Sequence, residues 1–165
     1  MLFRSARGTD LLTRCPDLAR PAAKVGEYLR FNSSLPQRVI EVAILVTARH
    51  WTAQWEWYAH HAIALKAGVD AQALQEIAQG RVPTRLQADE MAAYRFCVEL
   101  QRDKRVSDAS FGEAVRLLGE TGAVDLIGAC GYYGMIAMAL NVNDAGMPEG
   151  IAAPLAPLAQ PLPPA

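Results

Sequence analysis

Residues 38–68, RVIEVAILVTARHWTAQWEWYAHHAIALKAG, hold all three histidines, all three tryptophans and two carboxylates, Glu41 and Glu56, in otherwise apolar surroundings. Glu56 and His60 are four residues apart, which puts a carboxylate and an imidazole on one helical face. Imidazole titrates near neutral pH, so His60 is the natural proton donor of a site built here. Glu56 at i−4 can hold the ring in one tautomer and favour its charged form. Glu41, arriving from the preceding helix, is a second proton carrier or an orienting group. Arg49, ahead of Arg38, can bind a substrate carboxylate bidentately. Trp51, Trp55, Trp57 and Tyr58 would wall the pocket and keep it dry, which strengthens every charge interaction inside.

The same residues have a plainer reading. A Glu–His pair at this spacing is common on exposed helices, where it stabilises by tenths of a kcal/mol. Glu41 can serve only as the acid of a structural ion pair, the tryptophans as core or interface, and Tyr132 and Tyr133 as packing. A metal site built on Glu56, His60 and His61 is disfavoured. His60 and His61 are adjacent, so they point about 100° apart on a helix and cannot share one ion.

The elements that must position these residues are all helices. Pro16 and Asp17 open a helix that runs through Leu18, Ala22, Val25 and Leu29 to about Phe31. Leu35-Pro36 opens the next, with Ile40, Ala43, Ile44, Val46 and Thr47 as a well-buried run. The chain breaks at His50-Trp51-Thr52, and Thr52 is the expected N-cap of the helix carrying Glu56 and His60. Lys66 and Gly68 close that helix. Asp70 caps a short helix ending at Gly80, and residues 84–103 form a long amphipathic one. Ser107 caps a helix ending at Gly119. The last starts at Thr121 or Gly122 and runs to about Leu140, with Gly128, Gly131 and Gly134 set for close helix approach. No period-2 alternation is long enough for a strand.

Composition bounds the rest. At 165 residues with net charge −1 the chain is one domain, residues 1–146 with a core over 35–143, without the basic footprint of a nucleic-acid binder. The uncharged run Leu126–Asn143 is too short and interrupted for a membrane span and reads as a core helix. Cys15, Cys97 and Cys130 lie far apart, outside any CxxC spacing. With no apolar signal segment at the start, they suggest reduced thiols in a cytoplasmic protein. Residues 147–165 carry six of the ten prolines. That tail is expected to be a disordered end or an extended arm on a neighbouring subunit.

The pattern Glu41 … Trp51-Thr52-Ala53-Gln54-Trp55-Glu56-Trp57-Tyr58-Ala59-His60, followed by Ala67-Gly68-Val69, resembles the carboxymuconolactone decarboxylase family. The segment Val124-Asp125-Leu126-Ile127-Gly128 … Gly131-Tyr132-Tyr133 … Leu140-Asn141 is similar to that family's closing helix. The resemblance implies an alkylhydroperoxidase-D-like all-α bundle, assembled as a trimer or hexamer with sites near subunit interfaces. In the redox branch a Glu, a CxxC and a His recur. Here Glu41 and His60 match the Glu and the His, but Ala53 and Glu56 stand at the cysteine positions. Without a thiolate nucleophile and a resolving thiol, CxxC peroxide reduction is excluded. The decarboxylase branch also lacks CxxC, and there the resemblance implies a cofactor-free enzyme acting on a small carboxylated lactone. A lactone conjugated to the breaking bond is its own electron sink, so neither metal nor cofactor is needed.

Three functions follow as expectations. The first is a cofactor-independent decarboxylase, or a related lyase or isomerase, on a small carboxylic acid. The second is a non-catalytic small-molecule binder descended from the redox branch. The third is a peroxidase using another thiol, which requires a reactive Cys130 near His60. A pocket with His60 and Arg49 facing one another would favour the enzyme, and a His60 packed away from any cavity the binder.

Overall fold

The computed structural model describes residues 12 and 14–163. These form six helices: α1 (Pro16–Phe31), α2 (Gln37–His50), α3 (Gln54–Ala67), α4 (Ala71–Ala78), α5 (Ala88–Asp103) and α6 (Asp108–Val142). Among the described residues there is no strand, as the periodicity predicts. α2 is the axis of the bundle. Every residue from Val39 to Arg49 is buried, because α3, α5 and α6 pack around it on successive faces. The helix is therefore enclosed on every side, and its polar residues Glu41, Thr47 and Arg49 are buried with the rest.

Polar clamps set the register of these helices. Arg38 donates to both oxygens of Asp89, each at 2.7 Å, and so fixes α2 against the start of α5. Asp125 in α6 accepts from Tyr28 (2.9 Å), the hydroxyls of Ser33 and Ser34 (both 2.8 Å) and the Ser34 amide (2.9 Å), and so anchors the turn between α1 and α2.

The ends of the helices follow the sequence closely, with two exceptions. Asp70 caps α4 by accepting from the amides of Gln72 and Ala73, and Ser107 caps α6 by accepting from that of Ser110. Gly119, at φ 76°, breaks α6 into the two arms expected there. Thr52 does not cap α3. It sits at φ 49° in the left-handed region, and Ala53, with no side-chain acceptor, holds the N-cap position. α5 begins at Ala88 rather than at residue 84. Gln87 and Glu90 form a reciprocal capping box there, and the Thr84 amide and hydroxyl are taken by Glu76 of α4. By length and composition alone α6 could cross a membrane, but more than half of its most apolar stretch is buried in the bundle.

The proline-rich tail lies on its own chain as a strap. Leu155 and Leu162 are each 3% exposed, the Gln54 side chain exchanges two hydrogen bonds with the Leu155 backbone (2.8 and 2.9 Å), and the Tyr94 hydroxyl donates to Pro163 O at 3.0 Å. Proline keeps the segment extended, and leucines at 155, 158 and 162 give it an apolar side. Truncating a buried leucine to alanine costs about 2–5 kcal/mol. The double variant Leu155→Ala, Leu162→Ala is therefore expected to lower Tm by roughly 10 °C for a domain of this size. A thermal melt followed by circular dichroism checks this, and an unchanged Tm would show that the strap adds nothing to the fold.

Candidate active site

The α2–α3 reversal brings the chemistry together. Residues 51–53 turn the chain through a tight link in which the Ala53 amide donates back to Ala48 O at 2.8 Å. α3 then runs beside α2 and sets His60 against Glu41, nineteen residues upstream, with His60 Nδ1 2.8 Å from Glu41 Oε2. The other carboxylate oxygen of Glu41 accepts from Gln37 Nε2 at 2.7 Å, one turn earlier on α2. Glu41 is buried, with 2% of its side chain exposed, while the His60 side chain keeps 13%. A carboxylate held at Nδ1 selects the tautomer with its proton there and leaves Nε2 as the working nitrogen. On the far side the His60 ring meets Tyr133 of α6 edge-on, with centroids 5.1 Å apart, and Tyr133 meets Tyr132 in the same way at 5.1 Å.

Glu56 is not the partner of His60. It is 2% exposed, and neither carboxylate oxygen has a hydrogen-bond partner among the described residues. Burial alone pushes its pKa to about 9, so this side chain is a protonated acid at neutral pH. The carboxylate at His60 Nδ1 is that of Glu41 on α2, not that of the residue four positions back on α3.

Arg49 does not face the pair either. Eight residues beyond Glu41 on α2, it lies about 12 Å further along the helix axis. Its guanidinium is fully buried beneath the strap, where Nη2 donates to Ala156 O at 2.7 Å. Arg38 is committed to Asp89 and Glu90. Arg49 Nε and Nη1 are buried without a partner among the described residues, so its guanidinium is only partly engaged, under the strap rather than beside His60.

The aromatic residues divide. Trp57 is core at 3% exposure. Tyr58, two positions from His60 and so on another face of α3, is 41% exposed and lines an outer cleft of about 330 Å³ with Trp57 and His61. Trp51 and Trp55 line a separate cleft of about 320 Å³ with Leu140 and Asn141. Trp51 also packs its indole nitrogen against Gly134, where a side-chain carbon would lie 3.5 Å away. Of the three aligned glycines, Gly134 and Gly128 admit a neighbour, whereas Gly131 faces open space.

Two contributors escaped the sequence reading. Gln37 was detectable in principle, since it stands at i−4 to Glu41. Tyr133 stands in the segment that resembles the family's closing helix, where it is expected from sequence to pack. Its hydroxyl is buried without a partner among the described residues, and burial, then the charge of Glu41, raises its pKa.

The thiols form a second, separate feature. Cys97 of α5 and Cys130 of α6 are buried and share a hydrogen bond, with Cys97 held protonated by that bond and by burial. Among the described residues no group of three or more His, Cys, Asp and Glu side chains is placed to hold a metal ion.

No curated protein matches the chain. The family model described as "Carboxymuconolactone decarboxylase family" matches residues 16–99, which run from α1 through most of α5 and include Gln37, Glu41, Glu56 and His60, while α6 lies beyond the match. With a Glu–His pair between two adjacent helices of an all-α bundle, and with just over half its length matched, this chain belongs to the carboxymuconolactone decarboxylase family.

Proposed function

We propose that the protein is a cofactor-independent carboxy-lyase, or a closely related isomerase, acting on a small and conjugated carboxylic acid such as a carboxylated lactone. The observation that carries this reading is the Glu41–His60 pair, with Nδ1 2.8 Å from the carboxylate, the Glu41 side chain 2% exposed and that of His60 13%. Loss of carbon dioxide from such an acid moves the bonding electrons into the conjugated carbonyl. The dienolate then takes one proton at carbon. His60 is the group placed to deliver it, with Glu41 stabilising the imidazolium before transfer and Gln37 holding Glu41. The family includes peroxidases of the CxxC type, and this chain has Ala53 and Glu56 where that pair would stand. The acid is a small-molecule substrate, and we place assembly as a homo-oligomer, a trimer or hexamer, in the same proposal. The exposed apolar residues Phe31, Val124, Ile127 and Val142 support it.

A second reading, binding without turnover, draws on Arg49, which is buried under the strap rather than facing His60. The two part on one experiment. The wild-type protein is incubated with a panel of carboxylated lactones and β-keto acids, and carbon dioxide is measured. Release from at least one, well above the buffer rate, is expected. Tight binding of a panel member with no release from any would overturn the lyase reading and establish the binder.

A further inference from the structure

Buried cysteines are ordinarily inert core packing, because an apolar setting holds the thiol protonated and away from oxidants. Cys97 and Cys130 are set differently. They come from α5 and α6, both are buried in the core, and their thiols share a hydrogen bond. A polar patch adjoins them. Gln101, one turn beyond Cys97 on α5, donates to Thr47 Oγ1 of α2 at 3.1 Å, and both of these side chains also hydrogen-bond the Cys130 sulfur. Three helices thus meet at one pair of sulfurs. We propose that Cys97 and Cys130 form a dithiol site that a small hydroperoxide oxidises to a single intramolecular disulfide between α5 and α6.

The two thiols are not equivalent. The hydrogen bond that Cys97 donates lowers the Cys130 thiol from its ordinary value against the opposing effect of burial, and Thr47 and Gln101 add to the lowering. The same bond, then burial, raises Cys97. A thiol attacks as its thiolate, so Cys130 is the attacking sulfur and Cys97 the resolving one. Cys130 also keeps 6% exposure where Cys97 has 0%, so a small oxidant reaches it first. The Cys130 sulfur takes the terminal oxygen of the hydroperoxide, the O–O bond breaks, and the departing oxygen picks up the Cys130 proton and leaves as an alcohol, or as water from hydrogen peroxide. The Cys97 sulfur then displaces hydroxide from the sulfenic acid, its proton completes a water molecule, and the S–S bond forms. The two thiols supply the two electrons that cleave the O–O bond. Their sulfurs need only close from hydrogen-bonding contact to about 2.0 Å. The site is separate from Ala53 and Glu56, where a CxxC would stand, and it does not rest on the carboxy-lyase reading.

Cys15 is exposed, so the test uses the full chain carrying Cys15→Ser. The folded protein is treated with hydrogen peroxide, quenched, unfolded in N-ethylmaleimide, and read by intact mass and peptide mapping. The expected product has lost two hydrogens, takes up no maleimide, and yields one linked pair of peptides holding Cys97 and Cys130. Both thiols should disappear together, and dithiothreitol should return both. With Cys97→Ser added, the same treatment is expected to carry Cys130 on to the sulfinic acid, two oxygens heavier. The first measurement changes no core residue, so it decides the matter even where the second variant does not fold. Two maleimides on every chain, after peroxide exposure that fully oxidises Cys15 in the wild type, would overturn the dithiol site. So would oxygen uptake at Cys130 with Cys97 still free, or a disulfide that joins two chains.

Discussion

Replacing Glu56 by glutamine is expected to stabilise the fold at neutral pH, by an amount that grows as the solution becomes more alkaline. In the folded protein the Glu56 carboxyl titrates at about 9, against an ordinary value of 4.5. Below 4.5 both states hold the proton and the residue has no pH-linked effect. Between the two values the unfolded chain ionises while the folded one stays protonated, so the folded state binds more protons and stability falls as pH rises. Each unit is worth about 1.4 kcal/mol, so the cost at pH 7 is on the order of 3 kcal/mol. Glutamine is isosteric and carries no proton to lose. A series of thermal melts from pH 5 to pH 8 should show the variant gaining on wild type by on the order of 10 °C across the range. A gap that stays constant, or closes as pH rises, would mean that Glu56 is ionised in the fold.

The second large effect concerns Glu41. Glu41→Gln keeps a hydrogen-bonding side chain beside His60 but removes the charge that stabilises the imidazolium. General acid catalysis contributes about 10²- to 10⁴-fold, and Glu41 acts only through the ring. The variant is expected to lose about 10²-fold in kcat with little change in KM. Combined with His60→Asn it should cost no more than His60→Asn alone, since groups acting as a unit are not additive. Asparagine at position 60 retains a donor for Glu41 and so limits the penalty of leaving a buried carboxylate unpaired, which is otherwise about 3–5 kcal/mol. Independent losses that multiply in the double variant would assign Glu41 to the fold rather than to proton transfer.

These roles show where reading along the chain stops. Helix positions and most ends were legible, because caps such as Asp70 and Ser107, the break at Gly119 and the left-handed Gly68 are local signals. Spacing nominated Glu56 as the partner of His60, since i,i+4 pairs are the only side-chain contacts that periodicity reveals. The real partner, Glu41, stands on another helix, where its apolar surroundings and the resemblance to the family marked it but its contact with His60 could not be read from spacing. Its contact depends on how α3 folds back across α2 after Thr52, whose left-handed backbone is an unusual choice for a β-branched residue. Arg49 and the tail failed together. A proline-rich end with a single charge resembles a disordered one until its spaced leucines find an apolar surface and a buried guanidinium finds Ala156 O. Tyr133 was legible only as a packing residue of the closing helix. Its ring packs like any core aromatic, and only the unsatisfied hydroxyl marks it out.

The central claim is that the Glu41–His60 pair supplies the proton that completes decarboxylation. Its most direct test is the rate of carbon dioxide release from the best panel substrate by wild type and by His60→Asn, with both shown to be folded by circular dichroism. The pair predicts a fall of at least about 10²-fold in the variant. Rates within a few fold of one another would contradict it and move the chemistry away from this site.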